Sequence, residues 1–153
     1  MEELRLNIVI ESVSYEELKH EDKTLIDAAL KYTRHSYSPY SGFSVGAAVM
    51  LDNGHIICGS NQENAAYPSG LCAERVAMFS AKSTYPDARI TAIAIAAKDS
   101  KGFTPNPVTP CGACRQVMSE YEKQGGTPIR ILMYGSEKIL IAKDTATLLP
   151  LAF

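Results

Sequence analysis

Ile90-Thr91-Ala92-Ile93-Ala94-Ile95-Ala96-Ala97 is an apolar run of strand length. A loop from Lys98 to Pro110 follows, stiffened by Pro105, Pro107 and Pro110. Gly112 to about Lys123 then reads as a helix, Gly125-Gly126 ends it, and Ile129 to Tyr134 is a second apolar run. Strand, helix and strand in that order make a β-α-β unit with parallel strands. This decides the class as α/β.

The flanks extend the unit. Val45 to Leu51 reads as a strand, Asn53-Gly54 as a type I′ hairpin turn, and His55 to Gly59 as the returning antiparallel strand. Asn61 to Gly70 is a polar loop, and Cys72 opens a helix that runs to about Ser83 and stops near Pro86. That helix supplies a second β-α-β unit. Downstream, Gly135 to Lys138 is too short for a parallel crossover, so Ile139 to Ala142 should pair antiparallel with the strand before it. Thr145 to Leu149 makes a short terminal helix. Upstream, the alternation of Leu4, Leu6, Ile8 and Ile10 suggests an extended lead-in strand. Ser14 and Glu17 have capping-box spacing. The helix that follows is expected to break near His20 to Asp22 and to resume through Leu25, Ile26, Ala29, Leu30 and Thr33 to about Ser36. Pro39, Ser41 and Gly42 mark the next loop. The sum is a three-layer α-β-α arrangement with a mixed sheet of about five strands.

A chain of 153 residues suits one domain over 1–153, with 1–14 as an extra lead-in segment. Its 46% apolar content suits a soluble globular protein, and a net charge of −2 without a basic stripe argues against nucleic-acid partners. No stretch approaches the roughly 20 apolar residues of a membrane span, so no membrane partner is expected. Four cysteines are too few for a disulfide scaffold, and the expected compartment is the cytoplasm.

The cysteines carry the chemistry. Cys72-Ala73-Glu74 precedes Pro110-Cys111-Gly112-Ala113-Cys114, and both sets fall where a helix begins after a strand. In open α/β sheets that end of the strands is the usual ligand crevice. Three thiolates can hold one Zn²⁺ and leave its fourth position open to water. Thiolates are favoured at helix N-termini. Glu74 is placed to move protons on that water. Arg75 can donate hydrogen bonds to the sulfurs and relieve the negative charge of three thiolates. A structural zinc site would need Cys58 as its fourth ligand, at the wrong spacing. Cys58 reads instead as a small hydrophobe at a strand end. A thioredoxin-like redox pair at Cys111 and Cys114 would leave Cys72-Ala73-Glu74 unexplained. His20, His35 and His55 have no ligand-like spacing.

The (His or Cys)-x-Glu and Pro-Cys-x-x-Cys pattern is the zinc-deaminase signature. Ser38 to Ala48, Asn61-Gln62-Glu63-Asn64-Ala65, Tyr67-Pro68, Cys72 to Arg75, Pro110 to Gln116 and Leu148-Leu149-Pro150 together resemble the small homotetrameric cytidine deaminases. The resemblance covers about Ala28 to Phe153. It implies that Cys72, Cys111 and Cys114 are ligands of one Zn²⁺ per subunit and that Glu74 is the proton shuttle. It assigns Arg75 to the ligand thiolates, Asn61 and Glu63 to the ribose 3′-hydroxyl and Phe43 to the face of the pyrimidine. It further implies an Ala73 amide donor to the base carbonyl and a Thr109 carbonyl acceptor for the departing amine. Tyr67 and Phe153 match residues that complete a neighbouring subunit's pocket, which implies a homotetramer. The implied reaction is hydrolytic deamination of cytidine and 2′-deoxycytidine in pyrimidine salvage. No phosphate cradle accompanies these motifs, so a nucleoside is expected rather than a nucleotide. A blasticidin-type deaminase and a non-catalytic zinc-stabilised binding module are the competing readings.

Overall fold

Alternation of side chains along one central strand organises the molecule. The computed structural model describes residues 1–153. Strand β4 (Ile90–Asp99) sends Ile93 and Ile95 into one core cluster and Ala92, Ala94 and Ala96 into another. Period-two alternation of this kind puts the two sets on opposite faces of the sheet. The alanine face lies under helix α1 (His20–Tyr32), which contributes Leu25, Ile26 and Ala29. The isoleucine face is covered by α2 (Ala73–Thr84), with Ala77, Met78 and Ala81, and by α3 (Gly112–Gly125), with Cys114 and Met118. The result is the expected three-layer arrangement.

The sheet has seven strands rather than about five. The main path runs β1 (Glu11–Val13), β7 (Ile139–Ala142), β6 (Arg130–Tyr134), β4, β2 (Ser44–Leu51), β3 (Ile56–Ser60), and β5 (Gly102–Phe103) pairs with β4 off that path. β4 and β6 are the parallel pair, joined through α3. β3 and β4 also run parallel, because both pair antiparallel with the β2 between them, and α2 connects them. β7 returns antiparallel to β6, as the short Gly135–Lys138 link requires.

The departures have local causes. The lead-in strand forms at Glu11–Val13, where β7 offers a free edge, whereas residues 1–10 pair with nothing. The hairpin at Asn53-Gly54 is not type I′, since no residue other than glycine has a positive φ. Gly54, at φ 88, donates to the Leu51 carbonyl at 3.0 Å, so one left-handed residue closes the turn. His20 to Asp22 is the first turn of α1 rather than a break; the preceding turn, Tyr15–Glu17, is 3₁₀. The Glu17 carboxylate accepts from the Ser14 amide at 2.7 Å, which is the back-reaching half of a capping box. The helical run ends in a 3₁₀ turn, Thr33–His35, and the terminal helix is likewise 3₁₀, Thr145–Thr147. Gly126, at φ 64, terminates α3 through bonds to Glu122 and Lys123.

Two glycines let the helices approach the β2–β3 hairpin. A Cβ on Gly46 would overlap the Ala29 carbonyl of α1. A Cβ on Gly59 would lie 2.5 Å from the Ala77 amide of α2. Asp22, buried at the edge of α1, binds Arg130 of β6 through both carboxylate oxygens at 2.8 and 2.9 Å. No helix is long and apolar enough to cross a membrane.

Candidate functional site

Cys72 is the N-cap of α2 and Cys111 the N-cap of α3, both in extended conformation. The first turn of α3 brings in Cys114, which is fully buried. The two helix starts lie side by side because their strands are close neighbours in the sheet. The three sulfurs lie within 4.8 Å of one another, and Cys72 Sγ is 3.7 Å from Cys111 Sγ. A tetrahedral zinc about 2.3 Å from each sulfur would space them about 3.8 Å apart. All four cysteines are free thiols, so this is no disulfide. The donor set therefore fits one zinc, which these three residues would hold, and Cys72 and Cys111 line the adjacent pocket.

Electrostatics agree with the donor set. The Cys72 thiol is pushed down to about 5 by hydrogen bonds from Cys114 and then Arg75, against the effect of burial. Cys114 is pushed up, first by the same bond to Cys72 and then by burial. Arg75 Nη2 lies 3.6 Å from Cys72 Sγ, and its Nε is buried without a partner. The sulfurs raise the Arg75 pKa further, Cys72 foremost.

Glu74 is 5% exposed, on the first turn of α2, and it lines the pocket. Burial pushes its carboxyl up to about 7, and the charge on Cys72 adds to the shift. A carboxyl poised there gains and loses a proton near neutral pH, as a general acid and base must.

The cavity above the sulfurs has a volume of about 510 Å³, within the range of small-molecule sites. Phe43, Asn61, Glu63, Tyr67, Ala73 and Thr109 all line it. Phe43 is half-buried and belongs to neither core cluster. Asn61 is a brace as well as a lining residue. Its Oδ1 accepts from Ser36 Oγ at 2.6 Å and the Val45 amide at 2.8 Å, and its Nδ2 donates to the Phe43 carbonyl at 2.9 Å. One amide hydrogen is left for a ligand. Glu63 Oε1 accepts from the Tyr40 and Ser41 amides, both at 3.1 Å, leaving its second oxygen free. The pair thus fixes the loop that presents Phe43.

Phe153 is the exception. It is 99% exposed and lies outside this pocket, with its backbone carbonyl held by Lys123 at 2.8 Å. Tyr67 lines the rim but is 84% exposed. Cys58 sits within β3 rather than at its end, packed against the α1-side core, and burial pushes its thiol up to about 11. The three histidines are exposed and take no part in the cluster. Reading the sequence missed Ser36, whose bond to Asn61 spans 25 positions, and Arg115, which grips the Thr109-Pro110 bend. The only sequence signal for Arg115 was its place directly after Cys114.

Residues 19–125 match the family described as the cytidine and deoxycytidylate deaminase zinc-binding region. A cytidine deaminase of Halalkalibacterium halodurans is 47% identical over 96 residues, 63% of this chain and 68% of the relative. One of Sporosarcina psychrophila is 42% identical over 131 residues, covering 84% and 88%. Among solved structures, the cytidine deaminase of Burkholderia pseudomallei superposes with a TM-score of 0.73 at 36% identity, covering 89% of this chain and all 100% of that one.

Proposed function

We propose that this chain, which belongs to the cytidine and deoxycytidylate deaminase zinc-binding family, converts cytidine and 2′-deoxycytidine to the corresponding uridines with release of ammonia. The observation that carries the reading is Glu74, a buried carboxyl with a pKa raised to about 7, beside three convergent sulfurs in the pocket. Cys72, Cys111 and Cys114 hold one zinc. When bound, zinc lowers the pKa of a coordinated water to about 7 and so supplies the nucleophile.

The chain's own groups do the rest. Glu74 takes a proton from the water and delivers it to N3 of the pyrimidine, which makes C4 electrophilic. After addition at C4, Glu74 takes the remaining proton from the added hydroxyl and passes it to the exocyclic amine. Ammonia leaves, and the C4 carbonyl of the product forms. One water is consumed for each ammonia released. Arg75 draws charge from Cys72, with which it already shares a hydrogen bond. Phe43 packs on the base. The free oxygen of Glu63 and the remaining amide hydrogen of Asn61 hold the ribose 3′-hydroxyl. The Ala73 amide donates to the base carbonyl, and the Thr109 carbonyl accepts from the amine. Tyr67 and Phe153 serve a neighbour's pocket in a homotetramer, and the exposure of both rings suits that role.

Arg75 is the pocket's one cation, and it is engaged with a sulfur. A phosphate would find no free cation there, which favours a nucleoside substrate. A role in pyrimidine salvage and a cytoplasmic site of action belong to the same proposal. The test is loss of cytidine absorbance in the presence of zinc-loaded protein, followed by the same assay with 2′-deoxycytidine and the two nucleotides. Turnover of both nucleosides, with the nucleotides slower, is expected. Zinc-loaded protein that deaminates no pyrimidine would support a binding module instead.

A further inference from the structure

The pocket wall made by Val108 and Thr109 has almost no backbone support of its own. Asn106 to Pro110 enters no backbone–backbone hydrogen bond, and Pro107 and Pro110 have no N–H to donate. The upstream end of the segment is fixed, since Ser136 and Glu137 donate to the Thr104 and Pro105 carbonyls at 3.0 and 3.1 Å. Gly135 packs so closely there that a Cβ would lie 2.5 Å from the Pro105 carbonyl oxygen. The downstream end depends on one side chain. Arg115 donates through Nε to the Pro110 carbonyl at 2.8 Å, through Nη2 to Thr109 Oγ1 at 3.4 Å, and through Nη1 to the Leu148 carbonyl at 2.8 Å. A planar guanidinium spans three acceptors in fixed geometry, which an ammonium cannot do.

We infer that Arg115 is a positioning residue that sets substrate discrimination by tying the Thr109-Pro110 bend to the C-terminal turn at Leu148. It touches neither the sulfurs nor the pocket, so it acts only through the wall it holds. The inference rests on the proposed deamination, in which the Thr109 carbonyl faces the exocyclic amine. A fixed carbonyl accepts from a 4-amino group and repels a 4-oxo group. A wall free to shift loses both effects. The same bend carries Cys111 one residue later, yet Cys111 also heads α3, whose backbone bond from Arg115 N to the Cys111 carbonyl survives any side-chain change. Zinc binding should therefore outlast loss of the guanidinium.

The test uses the full-length, zinc-loaded chain with Arg115→Met and Arg115→Lys. Zinc per chain, melting temperature, kcat and KM for cytidine, and the inhibition constant of uridine are measured for each. For Arg115→Met, zinc stays at the wild-type stoichiometry while kcat/KM falls by about 10²-fold, the cost of a misplacement near 1 Å. The preference for cytidine over uridine narrows, and Arg115→Lys recovers part of both effects. Should Arg115→Met fail to fold, the Lys variant carries the test, with a smaller narrowing expected. A folded variant with a lowered melting temperature but unchanged kcat, KM and uridine inhibition overturns the inference and leaves a purely structural brace. Wild-type protein without deaminase activity overturns the proposed function, and this inference with it.

Discussion

Substituting Gly59 by alanine should damage the site without touching it. The new Cβ would stand 2.5 Å from the Ala77 amide nitrogen, 2.8 Å from the Ala73 carbonyl and 3.0 Å from Ala77 Cα. All three are backbone atoms of α2, so no side chain can swing aside. Ordinary contact needs about 3.5 Å, so helix and strand must part by about 1 Å. Overpacking of this kind costs about 1–3 kcal/mol. At about 2–4 °C per kcal/mol for a chain of this size, the melting temperature should drop by several degrees. The functional cost is larger in proportion. α2 carries Glu74 and is capped by Cys72, whereas β3 leads into Asn61. A 1 Å separation of Glu74 from Asn61, the proposed proton shuttle and sugar clamp, should lower kcat/KM by about 10²-fold. Thermal melting and cytidine turnover read the two effects. Gly125→Ala is the control, because its Cβ would meet nothing closer than the Arg89 side chain at 3.6 Å. Wild-type melting and turnover in Gly59→Ala would refute the claim that helix-to-sheet contact places the site.

Asp22→Ala should destabilise the fold by about 1–3 kcal/mol, since it leaves Arg130 without its two-oxygen partner. Zinc content and KM should hold, because the pair lies outside the cavity; denaturant unfolding with a zinc assay checks both. Stripping the metal with a chelator should abolish turnover and lower the melting temperature, and added zinc should restore both, since a ligand bound only by the native state stabilises it. In the metal-free protein the Glu74 pKa of about 7 lies above the ordinary glutamate value. The folded state then holds that proton more tightly than the unfolded chain does. This contribution is full below about pH 4.5 and lost as pH rises through about 7. The Cys72 thiol, pushed down to about 5, works in the opposite direction above pH 5, so the loss should be read as the difference in melting between metal-free wild type and metal-free Glu74→Gln across that window.

Much of the architecture was legible because it follows from periodicity and chain length. The apolar runs at Ile90 and Ile129 could only be buried strands once a helix lay between them. The four residues Gly135 to Lys138 forced an antiparallel return, and the return is there. Pairing partners were harder to see. The alternation of Leu4 to Ile10 predicts an extended chain, but a strand needs an edge, and β7 offers one only to Glu11–Val13. The two-residue β5 is likewise made by its neighbour, β4. Asn53-Gly54 placed the turn, but the type I′ expectation was wrong, because the turn needs only Gly54 in the left-handed region. The zinc cluster was readable from spacing, since each cysteine set marks a helix start. The braces were not. Ser36, Asn61 and Val45 meet across the fold, and nothing local in their sequence announces it. Gly59 could have been suspected, because a glycine inside a strand often marks close backbone approach.

Glu74 is proposed to shuttle protons beside a zinc held by Cys72, Cys111 and Cys114. Glu74→Gln keeps the shape of the side chain and removes its ability to take up a proton. The deciding measurement is cytidine turnover by that variant, normalised to the zinc each preparation contains. Wild-type zinc content, a folded chain and nearly complete loss of turnover are expected. Wild-type turnover at wild-type zinc content would contradict the proposed shuttle.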